Sequence, residues 1–393
     1  MDAKSGAQER FTQAQDDLIT LSHRIHAHPE LGFEEEKACA WISETLSNAG
    51  FSVETGICDM PTAFVARAGS GPLHIAICAE YDCLPGIGHA CGHNIIAASA
   101  VGAGIAAAQV ADEVGLSVSV LGTPAEEAGN AGGKILLLER GAFTDAHAAM
   151  MVHPAPMDVV DPSIIACSMF HVRYTGKAAH ASAFPERGIN AADAFTLAQT
   201  AIGLLRQHIR STDRIHGIIT HGGDAPNIIP AQTEAKYIVR AKTLDELDSI
   251  KEKVQRCFEA GALATGSTLE IVGGDKPYAE HRSDMEIAQF YQRNAEALGR
   301  NFPERGPAIE RAAGSTDMGN VSLALPSIHP FIGIDSLPAV NHQPEFTAHC
   351  VTQAADKALI DGALSMAWTA IDMATDEQIR DRLIRRKASG ATA

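Results

Sequence analysis

Short apolar runs alternate with amphipathic or Ala-rich segments through the first half of this 393-residue chain. Two such runs are LHIAICAEYD and LSVSVLGTPAEE, and a helix is predicted between them from about Ile95 to Ala111. Continuous apolar strands separated by helices are typical of a mainly parallel sheet with helices on both faces. In open sheets of this kind, the loops that follow the strands carry the chemically active groups. The pattern therefore predicts an α/β domain with its polar site at one edge of the sheet.

A second pattern begins near the middle of the chain. It consists of a strand, a helix from roughly Asn190 to Arg210, two strands, a helix near Leu244 to Ala262 and a last strand. That order is the split βαβ arrangement of a small ferredoxin-like domain. We therefore predict two domains, because a chain of this length exceeds what one core usually organises. The sheet domain comprises residues 1–167 and 278–393, and residues 168–277 form an inserted α+β domain.

Charge and composition exclude several classes of function. A net charge of −17 disfavours nucleic acid and anionic membranes as partners, because both require clustered Lys and Arg. No apolar run reaches the roughly 20 residues of a membrane span, and the polar N-terminus is unlike a secretory signal. Eight scattered cysteines indicate reduced thiols, so we expect a cytoplasmic protein. A dinucleotide site is disfavoured because GIGHACG lacks the Gly-x-Gly-x-x-Gly spacing.

Potential metal ligands follow the predicted strands. Cys91 and His93 form a Cys-x-His pair just before the Ala-rich helix, whose N-terminus favours the thiolate. Glu126 and Glu127 end a buried strand, where a charge is costly unless a cation or a proton compensates it. His153 also follows a strand. Thiolate, imidazole and carboxylate together suit Zn²⁺ and neighbouring transition metals.

Each of these residues has a simpler interpretation when it is taken alone. Cys91 would be a buried thiol, the acidic pair would stabilise a helix N-terminus, and His153 and His342 would be structural or surface histidines. Their joint occurrence at loops of one predicted sheet favours a metal site. Cys91 could also be a nucleophile with His89 or His93 as its base. That alternative leaves the acidic pair and the remaining histidines unexplained.

The motifs around these residues resemble the metallopeptidase family that includes aminoacylase, carboxypeptidase G and glutamate carboxypeptidases. More narrowly, the chain is similar to the amidohydrolase branch that holds auxin-conjugate hydrolase, hippurate hydrolase, p-aminobenzoyl-glutamate hydrolase and β-alanyl-lysine dipeptidase. The resemblance implies a metal-dependent amidohydrolase or dipeptidase with two divalent ions, Zn²⁺, Mn²⁺ or Co²⁺. It extends over nearly the whole chain and is carried by the segments HRIHAHPELGFEE, AEYDCLPGIGHACGHN, TPAEEAGNAGG, YTGKAAHASAFPERGINA, GGDAPNIIP, GSTDMGNVS and NHQPEF.

The resemblance also implies roles for single residues. Glu126 is expected to be the general base, and His180 to reach the active site of a partner subunit and stabilise the oxyanion, which implies a homodimer. Asn227 and Arg240 resemble a substrate-binding pair, in which Arg is suited to grip a carboxylate. The expected metal ligands are Cys91, His93, Glu127, His153 and His342.

The sequence departs from the family pattern at one informative position. Many members have a His-x-Asp motif where this chain reads Glu80-Tyr81-Asp82. The His ligand is therefore missing, Cys91 is expected to replace it, and Asp82 can only support the ligands from behind. GIGHACGHN looks closer to β-alanyl-lysine dipeptidase and p-aminobenzoyl-glutamate hydrolase, which favours dipeptide-like amides with a free carboxylate. The alternative from another class is a non-catalytic ligand sensor or scaffold that kept the fold.

Overall fold

The chain folds into two compact units. The first comprises Met1–Ser163 with His281–Ala393, and the second comprises Ile164–Glu280. The inserted unit thus extends a few residues beyond each end of the predicted segment 168–277. The computed structural model describes residues 2–128, 132–304, 306 and 313–389.

A mainly parallel sheet lies at the centre of the first unit. The strands of this unit are β1 Ser52–Thr55, β2 Phe64–Gly69, β3 Leu73–Ala79, β4 Leu116–Gly122, β5 Ala148–Met150, β6 His153–Ala155, β11 Ser327–Ile328 and β12 Phe331–Gly333. Six of them form one sheet in the order β1-β2-β4-β3-β5-β11, and β12 pairs with β6. The pairs β3 with β4, β3 with β5, and β5 with β11 are parallel, whereas β1 and β2 add an antiparallel edge.

Helices cover this sheet. They are α1 Ala3–His26, α2 Glu36–Asn48, α3 His93–Ala108, α4 Ala111–Val114, α5 Gly133–Glu139, α8 Met285–Ala297, α9 Met318–Ala324, α10 Pro344–His349, α11 Gln353–Thr375 and α12 Glu377–Ser389. The Ala-rich α3 is buried along almost its whole length and contacts α1, α11 and β3. The small side chains of α3 allow this close approach on every side, which explains why its sequence has no polar face. Within the described ranges, the structure contains no helix with the length and apolarity that a membrane span requires.

The second unit is a four-stranded antiparallel sheet with two helices. Its elements are β7 Ala166–Thr175, α6 Ala191–Leu205, β8 Arg214–His221, β9 Gln232–Ala241, α7 Leu244–Thr265 and β10 Thr268–Gly273. The strand order β10-β7-β9-β8 confirms the predicted ferredoxin-like arrangement. Along β9, buried residues alternate with more exposed ones, because one face of the sheet packs on a separate core that includes residues of α6 and α7.

One helix prediction was wrong. A single final helix was expected from about Glu345 to Met373, but the structure has two helices there, α10 and α11. The break lies before Gln353 because Thr352 adopts an extended conformation and its side chain accepts a hydrogen bond from the N–H of Ala355. Such an N-cap satisfies a helix-terminal donor and starts a new helix.

Candidate metal centre

The loop between β3 and α3 brings Cys91 and His93 to the carboxyl edge of the sheet. His93 is the first residue of α3, and Gly92 before it has a φ of +75°. A Cβ at Gly92 would lie 2.7 Å from Cγ of Pro154, directly beside His153. Glycine is therefore required here for two reasons, the left-handed backbone and the close approach of the His153 segment.

The five predicted ligands converge at this edge. The Sγ atom of Cys91 lies 3.4 Å from Nε2 of His153 and 3.5 Å from Nε2 of His342. The same Nε2 atom of His342 lies 3.4 Å from Oε1 of Glu127. Two groups of three residues have ligand atoms within 4.8 Å of one another, namely Cys91 with His93 and His153, and Cys91 with Glu127 and His342. Cys91 belongs to both groups.

The surrounding histidines stabilise a thiolate at Cys91. Burial alone would raise the pKa of the Cys91 thiol, but the charge of His153 and hydrogen bonds from His153, His342 and His93 hold it well below its usual value. Hydrogen bonds to Cys91 and Glu127 raise the pKa of His342 to about 10. Groups that attract protons this strongly also attract a divalent cation, because both compensate the same negative charge.

Asp82 connects two of these ligands from behind. Its Oδ1 atom lies 2.9 Å from Nδ1 of His93, and its Oδ2 atom accepts the backbone N–H of Glu127 at 2.8 Å. Asp82 is fully buried, yet the charge and hydrogen bond of His93 keep its pKa below the usual value. A carboxylate in this position fixes the orientation of the imidazole ring and leaves Nε2 of His93 to face the site.

Glu126 occupies a more acidic environment than its neighbour Glu127. It is 8% exposed, and its pKa is raised well above the usual value by burial and by the charges of Glu80 and Glu127. Glu80, His93 and Glu126 form a third group whose ligand atoms lie within 4.8 Å of one another. A carboxyl group with a raised pKa can hold a proton at neutral pH, which suits acid and base chemistry.

A buried ion-pair cluster beside the site was not predicted. The Nζ atom of Lys134 contacts Oε1 of Glu80 and lies 2.6 Å from Oδ1 of Asp317. The backbone N–H of Lys134 donates to the other oxygen of Asp317 at 2.9 Å. All three residues are fully buried. The sequence carries a weak signal for this cluster, since Lys134 is the one charged residue at the start of the apolar run KILLL.

The donor set fits a pair of divalent transition-metal ions. Four buried carboxyl groups, those of Glu80, Asp82, Glu126 and Asp317, are accompanied by the ammonium group of Lys134. Among the residues that the structure describes, Oε2 of Glu80 and Nε2 of His93 are buried without a hydrogen-bond partner. Uncompensated buried carboxylates are costly, so this excess of acid favours cations. Sulfur, nitrogen and oxygen donors together match the preferences of Zn²⁺ and its neighbours.

The three remaining predicted residues lie in the second unit. His180 is exposed, and its Nδ1 atom accepts the backbone N–H of Ala183 at 3.2 Å. Asn227 is its neighbour, because the Asn227 carbonyl accepts the N–H of Ala181 at 3.0 Å. Arg240 is half-buried on β9. Their roles in catalysis and substrate binding stay predictions.

Comparisons with known proteins identify relatives of both units. The family model of the peptidase dimerisation domain matches residues 167–265. Mouse Xaa-Arg dipeptidase is 39% identical over 387 residues, which cover 94% of this chain and 88% of the relative. One of the subunits of p-aminobenzoyl-glutamate hydrolase from Escherichia coli K12 is 33% identical over 290 residues, 68% of this chain and 58% of that protein. A dinuclear metal-binding Bacillus subtilis peptidase from the M20 family shares the fold, with a TM-score of 0.69, 21% identity and coverage of 93% of this chain and 99% of that chain.

Proposed function

Because this chain belongs to the M20 family of metal-dependent peptidases, we propose that its metal centre hydrolyses dipeptide-like amides that end in a free carboxylate. Amide hydrolysis follows from the family, whose members include named dipeptidases and hydrolases. The relative at 39% identity is named for Xaa-Arg substrates. Dipeptides that end in Arg or Lys are therefore the first substrates to test, and N-acyl amino acids the second.

The observation that carries the proposal is the convergence of five ligands around one shared thiolate. Cys91, in both groups of three, would bridge two ions, with His93 and His153 on one side and Glu127 and His342 on the other. The ions would be drawn from Zn²⁺, Mn²⁺ and Co²⁺. When bound, they supply a water of lowered pKa and a Lewis acid for the amide carbonyl.

Glu126 is the proposed general base. Its carboxylate takes a proton from the attacking water and later returns that proton to the leaving amine. The buried acidic surroundings of Glu126 support this role, because they raise its pKa and let the carboxyl group keep the proton between the two transfers. Asp82 holds His93 and the backbone of Glu127 in place while this happens.

The second unit would supply the remaining contacts. His180 would stabilise the oxyanion in the active site of a partner subunit, and Arg240 with Asn227 would bind the substrate carboxylate. The match of residues 167–265 to a dimerisation domain supports a homodimer formed through this unit. A cytoplasmic location is proposed as well, and it is supported by eight cysteines that are all unpaired in the structure.

The Glu126→Gln variant tests this assignment. We expect kcat to fall about 10² to 10⁴-fold with both metal ions retained, because the amide cannot accept the proton. Turnover is measured on Xaa-Arg and Xaa-Lys dipeptides, N-acyl amino acids and p-aminobenzoyl-glutamate with each metal, and the metal content by elemental analysis. The matched control is Glu127→Gln, which should lose metal.

Two outcomes would contradict the proposal. Near-wild-type turnover in a metal-loaded Glu126→Gln protein would exclude Glu126 as the base. Amide binding without turnover by the wild-type protein, with any of the three metals, would favour the non-catalytic sensor.

A further inference from the structure

The N-terminal motif HRIHAHPELGFEE packs against both loops that carry the site. The carbonyl of Glu30 accepts the N–H of Cys83, in the loop after β3, at 2.9 Å. Gly32 lies against the loop after β4, where a Cβ on Gly32 would fall 3.0 Å from both Cα and Cβ of Ala125. This segment has no role in the proposed reaction, although it contacts the supports of several site residues.

Glu35 makes the central polar contact of this segment. Its side chain is fully buried, and its Oε1 atom accepts the backbone N–H of Ala125 at 2.8 Å. Its Oε2 atom accepts the hydroxyl of Thr62 at 2.8 Å, and the carbonyl of Thr62 accepts the hydroxyl of Tyr81. Both carboxyl oxygens are thus engaged, so the carboxyl group is held in one orientation.

Ala125 has a backbone conformation that needs such support. Its φ is +62°, in the left-handed region that residues with a Cβ rarely adopt. Ala125 directly precedes Glu126, so a rotation of the backbone at Ala125 would redirect the Glu126 side chain. A strained conformation persists only when surrounding contacts hold it, and Glu35 supplies the buried hydrogen bond to this peptide.

We infer that Glu35 is a positioning residue, whose buried carboxyl group holds the left-handed turn at Ala125 and thereby aims Glu126 at the substrate. This inference rests on the proposed role of Glu126 as the base. Burial and the charge of Asp82 raise the pKa of Glu35 to about 7. A neutral side chain of the same shape should therefore perform the same task.

Turnover of Glu35 variants with both metals bound provides the first test. Glu35→Ala should lower kcat about 100-fold with KM nearly unchanged, because a small misplacement of a catalytic group costs about that much. Glu35→Gln should keep at least about half of the wild-type kcat, since its amide oxygen can accept from Ala125 and its NH₂ can donate to Thr62. Thr62→Val, which removes only the other hydrogen bond, is the matched control and should reduce stability more than kcat.

A second substitution separates positioning from general damage. Ala125→Gly removes the penalty of the left-handed conformation, so adding it to Glu35→Ala should restore kcat several-fold. Loss of packing around Glu35 would not be repaired by a change at Ala125. Wild-type kcat in Glu35→Ala, or no recovery in the double variant, would overturn the inference.

Hydrogen exchange at the Ala125 amide gives a readout that does not need activity. Exchange should be faster in Glu35→Ala than in the wild type, and slow in both Glu35→Gln and Thr62→Val. Unchanged exchange in Glu35→Ala would overturn the inference while leaving the proposed function intact. An inactive wild-type protein would count against the proposed function instead, and the exchange rates would still decide whether Glu35 holds the turn.

Discussion

Adjacent residues of the same type acquire different tasks from their surroundings in this protein. Glu126 and Glu127 are neighbours in the chain, but Glu127 faces His342 at 3.4 Å whereas Glu126 is buried beside Glu80. The first environment pairs a carboxylate with positive charge, and the second raises the pKa of a carboxyl group. Placing titratable groups in contrasting environments is how sites divide ligand and proton-transfer roles. Cys91 shows the same dependence, since histidines turn a buried thiol into a thiolate.

The Cys91→Ser variant should lose metal together with activity. A serine hydroxyl stays protonated at neutral pH and is a poor ligand for Zn²⁺, so both ions would lose their shared donor. Metal content and turnover are measured on the same preparations. Cys58→Ser, at a half-buried thiol that contacts the carbonyl of Arg140, is the control and should keep both. Retained metal with lost activity would instead support Cys91 as a nucleophile.

At this scale the sequence predicted the converging residues but not their buried counter-ions. Cys91, His93 and Glu127 occur in short motifs whose chemistry can be interpreted locally. Lys134 lies 54 residues from Glu80 and 183 residues from Asp317 along the chain. No spacing rule relates positions so far apart, and a single Lys beside an apolar run is compatible with an exposed helix end.

At the scale of elements, the site depends on where strands and helices end. The strands β3, β4 and β5 run parallel, so the loops after them meet at one edge of the sheet, as their apolar pattern predicted. The start of α7 at Leu244 was also predicted, and Thr243 caps it. The break between α10 and α11 was missed because the apolar pattern continues across it, while one side-chain hydrogen bond at Thr352 decides the boundary.

Gly92→Ala should weaken metal binding at least about tenfold. The added Cβ would lie 2.7 Å from Pro154, which forces the Cys91 loop and the His153 segment apart and moves ligands out of the geometry the ions require. Metal affinity is measured by calorimetric titration, and stability by thermal unfolding.

Gly86→Ala is the matched control for this substitution. Gly86 also has a positive φ of +78°, but nothing lies within 4 Å of its added Cβ. It should lose only the conformational cost of about 1–2 kcal/mol and keep its metal affinity. Equal losses of affinity in both variants would show that backbone strain, not the contact with Pro154, controls the site.

At the scale of the whole molecule, the second unit has one unguarded sheet edge. The strand β8 is at the edge of its sheet, and Ile218 and Ile219 on it are 64% and 42% exposed. Natural edge strands usually carry charge or proline that prevents pairing with another chain. The opposite edge, β10, has Glu270 in an ion pair with Arg173, whereas the middle of β8 has no acidic, Lys or Arg side chain. We therefore expect β8 to form the edge at which two subunits meet.

Ile218→Lys should convert the protein from a dimer to a monomer. A buried ammonium group at the edge would oppose pairing of two copies of β8. Light scattering during size-exclusion chromatography gives the mass, which should be twice the chain mass for the wild type. Leu263→Lys, at an 87% exposed position on α7, is the control and should stay dimeric. A dimeric Ile218→Lys protein would place the interface elsewhere.

The discontinuous first unit has a consequence for the order in which the chain matures. The pairs β5 with β11 and β6 with β12 join strands from either side of the inserted unit. On the ribosome, residues 164–280 emerge before β11, β12, His342 and α11 exist. The inserted unit can therefore fold first, since domains generally fold as units during synthesis. The site that binds the ions is completed only near the end of translation, so metal loading follows synthesis of almost the entire chain.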